Sequence, residues 1–115
     1  LIELTIKEIQ QMNLTNLNIL DLCTGSGAIG LTLKSLLPSS NVTLSDISKE
    51  ALIIANKNKT ELNLNVNIIE SDLFKNITGK FDVIISNPPY VMTNEQLPKD
   101  VLYFFSAFIP SERLP

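Results

Sequence analysis

Three observations in the sequence predict a doubly wound α/β fold with a mostly parallel sheet. Short apolar runs alternate with segments of helical spacing, the runs are apolar almost throughout, and each ends in a polar residue. Ile2, Ile6, Ile9 and Met12 recur at helical spacing and predict a helix over residues 2–13, closed by the polar "NLTN" turn. "NILDLC" follows as a short buried strand. Gly25, Gly27 and Gly30 then lead into a second helix, with Ile29, Leu33 and Leu36 or Leu37 on one face and Pro38 as its stop. "NVTLSD" is the second strand. Ser48 is a good N-cap for a third helix reaching Leu62, because its hydroxyl can accept a free backbone N–H and Glu50 sits near the positive dipole end. "NVNII" and "FDVIIS" read as the third and fourth strands, with "ESDLFKNITGK" between them. The segment "DVLYFFSAFIP" is apolar enough for a helix, yet its bulky residues fall on all sides. No later strand is then expected to cover the edge of strand four.

In such sheets ligands bind beyond the carboxyl ends of the strands, where Asp21, Asp46, Asp72 and Asn87 converge on one rim. Composition narrows what that rim can do. The chain has 115 residues, 44% apolar and 18% charged, which suits one small globular core. Its net charge of -3, with nine basic residues spread singly, gives no footprint for nucleic acid or an anionic membrane. A single cysteine, Cys23, excludes an internal disulfide and a multi-cysteine metal site. The absence of histidine removes the commonest zinc ligand and general base, so no metal is expected. No apolar run approaches the roughly 20 residues that span a bilayer, and "LIELTIKEIQ" lacks the basic start of a signal peptide; the expected location is cytoplasmic.

"GSGAIG", Gly25 to Gly30, matches the G-x-G-x-x-G pattern that lets a backbone approach a ligand at a helix N-terminus. The residue four positions earlier is more telling. Asp21 repels a pyrophosphate but attracts an ammonium group, such as that of the methionyl part of S-adenosylmethionine. Asp46 ends the second strand, where a carboxylate can accept both ribose hydroxyls; NAD shares that ribose, so Asp46 does not decide between the two. The plainer readings are a tight turn for the glycines, a strand-end residue for Asp21 and a turn residue for Asp46. Asp72 either bonds an adenine amino group or caps a turn. Asp82 reads as a solvated turn residue, and Cys23 as a small apolar residue under the glycine loop, with no base to activate it.

"SNPPYV" stops the fourth strand, since two prolines cannot donate ladder hydrogen bonds. A primary amide or exocyclic amine is a poor nucleophile, because its lone pair is delocalised. The Asn87 side-chain oxygen and the Pro88 carbonyl can take the two hydrogens of a planar NH2 group and aim its nitrogen, while Tyr90 walls the plane. No histidine is needed. A rigid loop after a strand is the plain alternative for these residues.

"ILDLCTGSGAIG", "VTLSDIS", "ESDLF" and "FDVIISNPPYV", in this order and spacing, resemble the catalytic domain of the HemK/PrmC family, over about residues 1 to 91. That family methylates the side-chain amide nitrogen of a glutamine in peptide chain release factors. The resemblance implies a Rossmann-like S-adenosylmethionine-dependent methyltransferase fold and S-adenosyl-L-methionine as cofactor. It implies Asp21, Thr24, Gly25 and Gly27 at the methionyl side, Asp46 at the ribose, Asp72 near the adenine, and Asn87, Pro88 and Tyr90 at the substrate glutamine, Asn87 also lying beside the cofactor. The partner it implies is a release factor.

Members usually carry glycine where Cys23 stands, an N-terminal helical domain, and a "YEP...AL"-like continuation with three more strands. One incomplete catalytic domain is therefore expected, with residues 1–91 as cofactor half and substrate loop, 92–115 as an atypical tail, and the C-terminal strands missing. Three alternatives stay open: an adenine or guanine amino-methyltransferase acting on DNA or RNA, a nucleotide-binding remnant without catalysis, and an NAD-dependent oxidoreductase. An acidic chain without cationic grooves disfavours the first.

Overall fold

The computed structural model describes residues 2–12, 16–86 and 103–106. Their elements run α1 (Ile2–Met12), β1 (Asn18–Leu22), α2 (Ala28–Leu36), β2 (Asn41–Asp46), α3 (Lys49–Leu62), β3 (Asn67–Glu70), β4 (Val83–Ser86) and β5 (Tyr103–Ser106). The strands form one parallel sheet in the order β3-β2-β1-β4-β5. The chain thus winds outward from β1 to β3 on one side, then returns to add β4 and β5 on the other. That reversal is the doubly wound arrangement the sequence predicts.

Strand alternation sorts the core into two layers. Ile19, Val42, Leu44, Val83 and Ile85 point to one face, where Ile9 of α1, Leu31 and Leu33 of α2 and Ala55 of α3 cover them. Leu20, Leu22 and Ile84 point to the other and are covered by Leu73, Phe74, Ile77 and Phe81 of the segment joining β3 to β4. Each fully buried leucine or isoleucine contributes about 1.5–3 kcal/mol by leaving water. β1 sits at the centre and β4 is paired on both edges, and both are covered on both faces, which is why their runs are apolar almost throughout.

The helices end as local chemistry dictates. Ser48 Oγ accepts the Ala51 N–H at 3.1 Å and caps α3, and Asn63 closes it in the left-handed conformation. α2 starts at Gly27, also left-handed, with no side-chain cap of its own.

Three expectations are corrected, and one alternative left open is decided. Tyr103–Ser106 is a fifth strand, parallel to β4, rather than part of a helix, so the edge of β4 is paired. A run of aromatic residues with no polar face suits a strand beside an open ladder better than an amphipathic helix. On α2 the expected Leu33 is buried and Ile29 and Leu37 pack against the core, joined by Gly30 and Leu31; of the two alternatives for the last position it is Leu37 that turns inward, while Leu36 is 56% exposed. β4 starts at Val83 rather than Phe81, and β3 spans Asn67–Glu70 rather than starting at Asn65. Asp82 is no solvated turn residue. Its Oδ2 accepts the Asn18 N–H at 2.8 Å while its own N–H donates to the Asn18 carbonyl at 2.8 Å, which pins the register that pairs Ile19 with Val83.

Two substitutions test the turn between β1 and α2. A Cβ at Gly30 would overlap Leu44 Cδ2 and stand 2.9 Å from Asp21 Oδ2. Gly30→Ala should therefore destabilise by about 1–3 kcal/mol, although alanine is the better helix former; urea unfolding showing a gain would refute the close packing. Cys23 has φ +60, a left-handed conformation that costs a non-glycine residue about 1–2 kcal/mol. Cys23→Gly should leave stability unchanged or raised by up to about 1 kcal/mol, and Cys23→Val should lower it, in the same unfolding experiment.

Candidate functional site

β1 and β4 are the strands between which the winding reverses, so their carboxyl ends open the crevice where ligands of such sheets bind. Asp21 is the last residue but one of β1 and Asp46 the last of β2. Ser86 ends β4 and leads to Asn87, Pro88 and Tyr90, which lie outside the described residues.

The Asp21 carboxylate is almost wholly buried, at 2% exposure. Its Oδ2 accepts the Thr24 hydroxyl at 2.7 Å and the Gly30 N–H at 2.9 Å. Gly30 lies in the first turn of α2, where backbone N–H groups have no partner within the helix, so a strand-end carboxylate serves as cap to the following helix. Burial pushes the carboxyl up from its ordinary 3.8 to about 6, against the two hydrogen bonds and with help from the nearby Asp46 charge. Among the described residues both hydrogen bonds fall on Oδ2.

The turn between these carboxylates contains three left-handed residues, Cys23, Gly25 and Gly27. Thr24 N–H donates to the Ser45 carbonyl at 2.8 Å, Gly25 N–H to Asp46 Oδ2 at 2.9 Å and Gly27 N–H to the Thr24 carbonyl at 3.0 Å. Asp46 Oδ1 accepts the Ser48 N–H at 3.0 Å. Asp46 is half-buried, so each oxygen carries one backbone donor and keeps room for a second. A Cβ at Gly25 would meet nothing within 4 Å, so the backbone there faces open space. A Cβ at Gly27 would instead press on Leu31 and Leu44 at 3.1 Å.

The structure thus brings together Asp21, Thr24, Gly25, Gly27 and Asp46. Asp72 stands apart from them in its contacts: it is exposed, pairs with Lys75 at 3.2 Å, and its carbonyl accepts the Lys75 N–H. The turn-capping reading describes those contacts. Cys23 is half-buried against the Leu20, Leu22 and Ile84 layer, and burial raises its thiol above the ordinary range, aided by Asp46 and opposed by a hydrogen bond with Ser86.

Three residues at this rim escaped the sequence reading. Ile47, next to Asp46, is 62% exposed, an apolar surface whose only signal was an isoleucine set between polar residues. Asn58 of α3 donates from Nδ2 to the Ser26 carbonyl at 2.9 Å, a contact across 32 positions that no local pattern announces. Ser45 is buried on the opposite face of β2 from Asp46, and its Oγ has no hydrogen-bond partner among the described residues, a cost of about 1–3 kcal/mol.

Among the described residues no group of three or more His, Cys, Asp or Glu could hold a metal, and no helix is long and apolar enough to cross a membrane.

The chain is 45% identical over 97 residues to a release factor glutamine methyltransferase of Leptospira interrogans, covering 78% of this chain and 34% of that protein. It is 53% identical over 77 residues to a ribosomal protein uL3 glutamine methyltransferase of Francisella tularensis, covering 64% and 24%. It therefore spans about a third or less of the length of these curated relatives. Among solved structures, an S-adenosylmethionine-dependent methyltransferase of Clostridium acetobutylicum superposes with a TM-score of 0.65 at 28% identity, over 74% of this chain and 34% of that one. The same frame of strand-end carboxylates and glycine turn lies within residues 3–107, which match the model of the methyltransferase small domain, and the chain belongs to that family.

Proposed function

We propose that this chain is the cofactor-binding and catalytic part of an S-adenosylmethionine-dependent methyltransferase that modifies the side-chain amide nitrogen of a glutamine in a peptide chain release factor. The observation that carries this reading is the pair of strand-end carboxylates, Asp21 and Asp46, around an open left-handed glycine turn. The kinship with release factor glutamine methyltransferases supports the substrate.

The residues fit the cofactor. Asp21 offers a buried negative charge to an ammonium group, in surroundings where that attraction is stronger than in water. Thr24 holds the Asp21 carboxylate, and the Gly25 backbone gives the ligand room to approach, while Gly27 turns the chain into α2. Asp46 accepts ribose hydroxyls, and Ile47 provides an apolar surface for the adenine. Asp72 pairs with Lys75 through Oδ2, an exposed pair worth little, and its Oδ1 can accept the adenine amino group. When bound, S-adenosylmethionine supplies an electrophilic methyl group. Asn87 and Pro88 take the two N–H hydrogens of the glutamine amide, Tyr90 walls its plane, and the nitrogen is held in line for transfer.

A second reading, methylation of a glutamine in ribosomal protein uL3, is favoured by the 53% identity to the Francisella enzyme. Incubating the chain with S-adenosylmethionine and either release factor, uL3 or nucleic acid, then mapping the methyl group by mass spectrometry, separates the readings. Methyl on a release factor glutamine is expected, and methyl on a base would overturn both protein readings.

The roles divide in mutants. Asn87→Ala should abolish transfer and leave the Kd for S-adenosylhomocysteine within about twofold, whereas Asp46→Ala should raise that Kd by about tenfold or more. Calorimetric titration beside the transfer assay checks both, and equal loss of binding in the two variants would refute the division.

Asp21 sets binding against stability. Because burial raises its pKa on folding, the folded chain holds the proton more tightly than the unfolded one. Its contribution favours folding most below about pH 4 and is lost as pH rises to about 6, leaving a cost on the order of 3 kcal/mol at neutral pH. Asp21→Asn should therefore stabilise the ligand-free chain by about 1–3 kcal/mol near pH 7.5, with the gain vanishing toward about pH 4, and should weaken S-adenosylhomocysteine binding at least about tenfold. Denaturant unfolding across that pH range and titration at its upper end read the two effects; a variant less stable than the parent near pH 7.5 would remove burial as the cause.

A further inference from the structure

The glycine turn passes through three left-handed residues, and glycine at two of them gives the unfettered chain many conformations of similar energy. Thr24 and Gly25 are tied to the end of β2 by the Ser45 carbonyl and Asp46 Oδ2. Ser26, the exposed residue at the tip, is held from elsewhere: its carbonyl accepts Asn58 Nδ2–H at 2.9 Å. Asn58 is well placed for this task. One helical turn earlier Ala55 is fully buried and would stand 3.4 Å from a Cβ at Gly27, so residues 55 and 58 of α3 lie on the face that meets the turn. α3 is itself fixed by the Ser48 cap at one end and the Asn63 cap at the other.

We propose that Asn58 is a positioning residue for the cofactor, its amide tethering the tip of the glycine turn to α3 and so selecting the turn conformation that presents the Gly25 backbone to the ligand. The ligand half of this inference rests on the function proposed above; the tether itself belongs to the ligand-free chain. The chemistry is specific, because Ser26 offers an acceptor and only a donor satisfies it. A carboxylate of the same shape would set oxygen against oxygen, and a methyl group would reach nothing.

Asn58→Asp and Asn58→Ala test it by two readouts. In the ligand-free chain the Gly25 and Gly27 amides should exchange their hydrogens about 3–10-fold faster in both variants, with Ala55 unchanged and Tm within about 2 °C of the parent. The Kd for S-adenosylhomocysteine should rise by about 3–10-fold. Turn amides that exchange at the parent rate in both variants would overturn the tether. Faster exchange with Kd within twofold of the parent would overturn the positioning role. Should the parent bind no S-adenosylhomocysteine, the functional reading fails and the exchange rates alone decide the tether.

Discussion

The end of β1, the glycine turn and the start of α2 all meet on one buried side chain, the carboxyl group of Asp21. A carboxylate at 2% exposure in a sheet interior is costly unless donors surround it, and here the donors dictate the local fold. The Gly30 N–H can reach Oδ2 only if α2 begins directly behind the end of β1, and only if residue 30 has no Cβ. The Thr24 hydroxyl can reach it only if the chain doubles back at once, which forces Cys23 and Gly25 into left-handed conformations. Strand, turn and helix are therefore one unit, tied by the two hydrogen bonds that converge on Asp21 Oδ2.

That unit also fixes the sign of the rim. A glycine turn at a helix N-terminus is by itself suited to phosphate, because its N–H groups and dipole attract anions. Here Asp21 takes the Gly30 N–H and Asp46 takes the Gly25 N–H, so two of those donors already face carboxylates. The site then suits a cation and hydroxyl groups better than a pyrophosphate. This physical difference separates the methyltransferase reading from a nicotinamide one, which the ribose position alone could not do.

Much of this was legible in sequence where local chemistry and long-range packing agree. β2 and α3 fall where "NVTLSD" and the Ser48 cap place them, since an unbroken apolar run and a capping hydroxyl need no tertiary information. Phe81, Asp82 and the Tyr103–Ser106 strand were misread because their fate depends on partners distant in the chain. Helical spacing left Leu36 or Leu37 for the last inward position of α2, and the structure packs Leu37 against the core and exposes Leu36. Asp82 looks like any aspartate after a turn, and only its pairing with Asn18, 64 positions away, gives it a structural task. The site carboxylates and glycines were legible because their spacing is a chemical pattern. Asn58 was not, since its role arises from a helix laid over a turn.

Three places where the fold opposes local preference lie at this rim. Cys23 is left-handed without being glycine, Asp21 is a carboxyl group at 2% exposure, and Ser45 Oγ is buried without a partner among the described residues. Elsewhere among the described residues the caps of α3 and the burial of the two apolar layers follow the ordinary rule, with Leu73 of the second layer another left-handed residue that is not glycine. Such conflicts persist only where the surroundings over-determine them, and the turn's ties to β2 and α3 do that here. A rim optimised for stability alone would replace Asp21 with a neutral isostere, place glycine at position 23 and an apolar residue at 45. Keeping the anion means that the charge a cationic ligand needs is already desolvated and oriented before the ligand arrives. Little reorganisation is then left for the binding step. The same desolvation that weakens the empty chain is thus what would make the attraction strong once a cation occupies the rim.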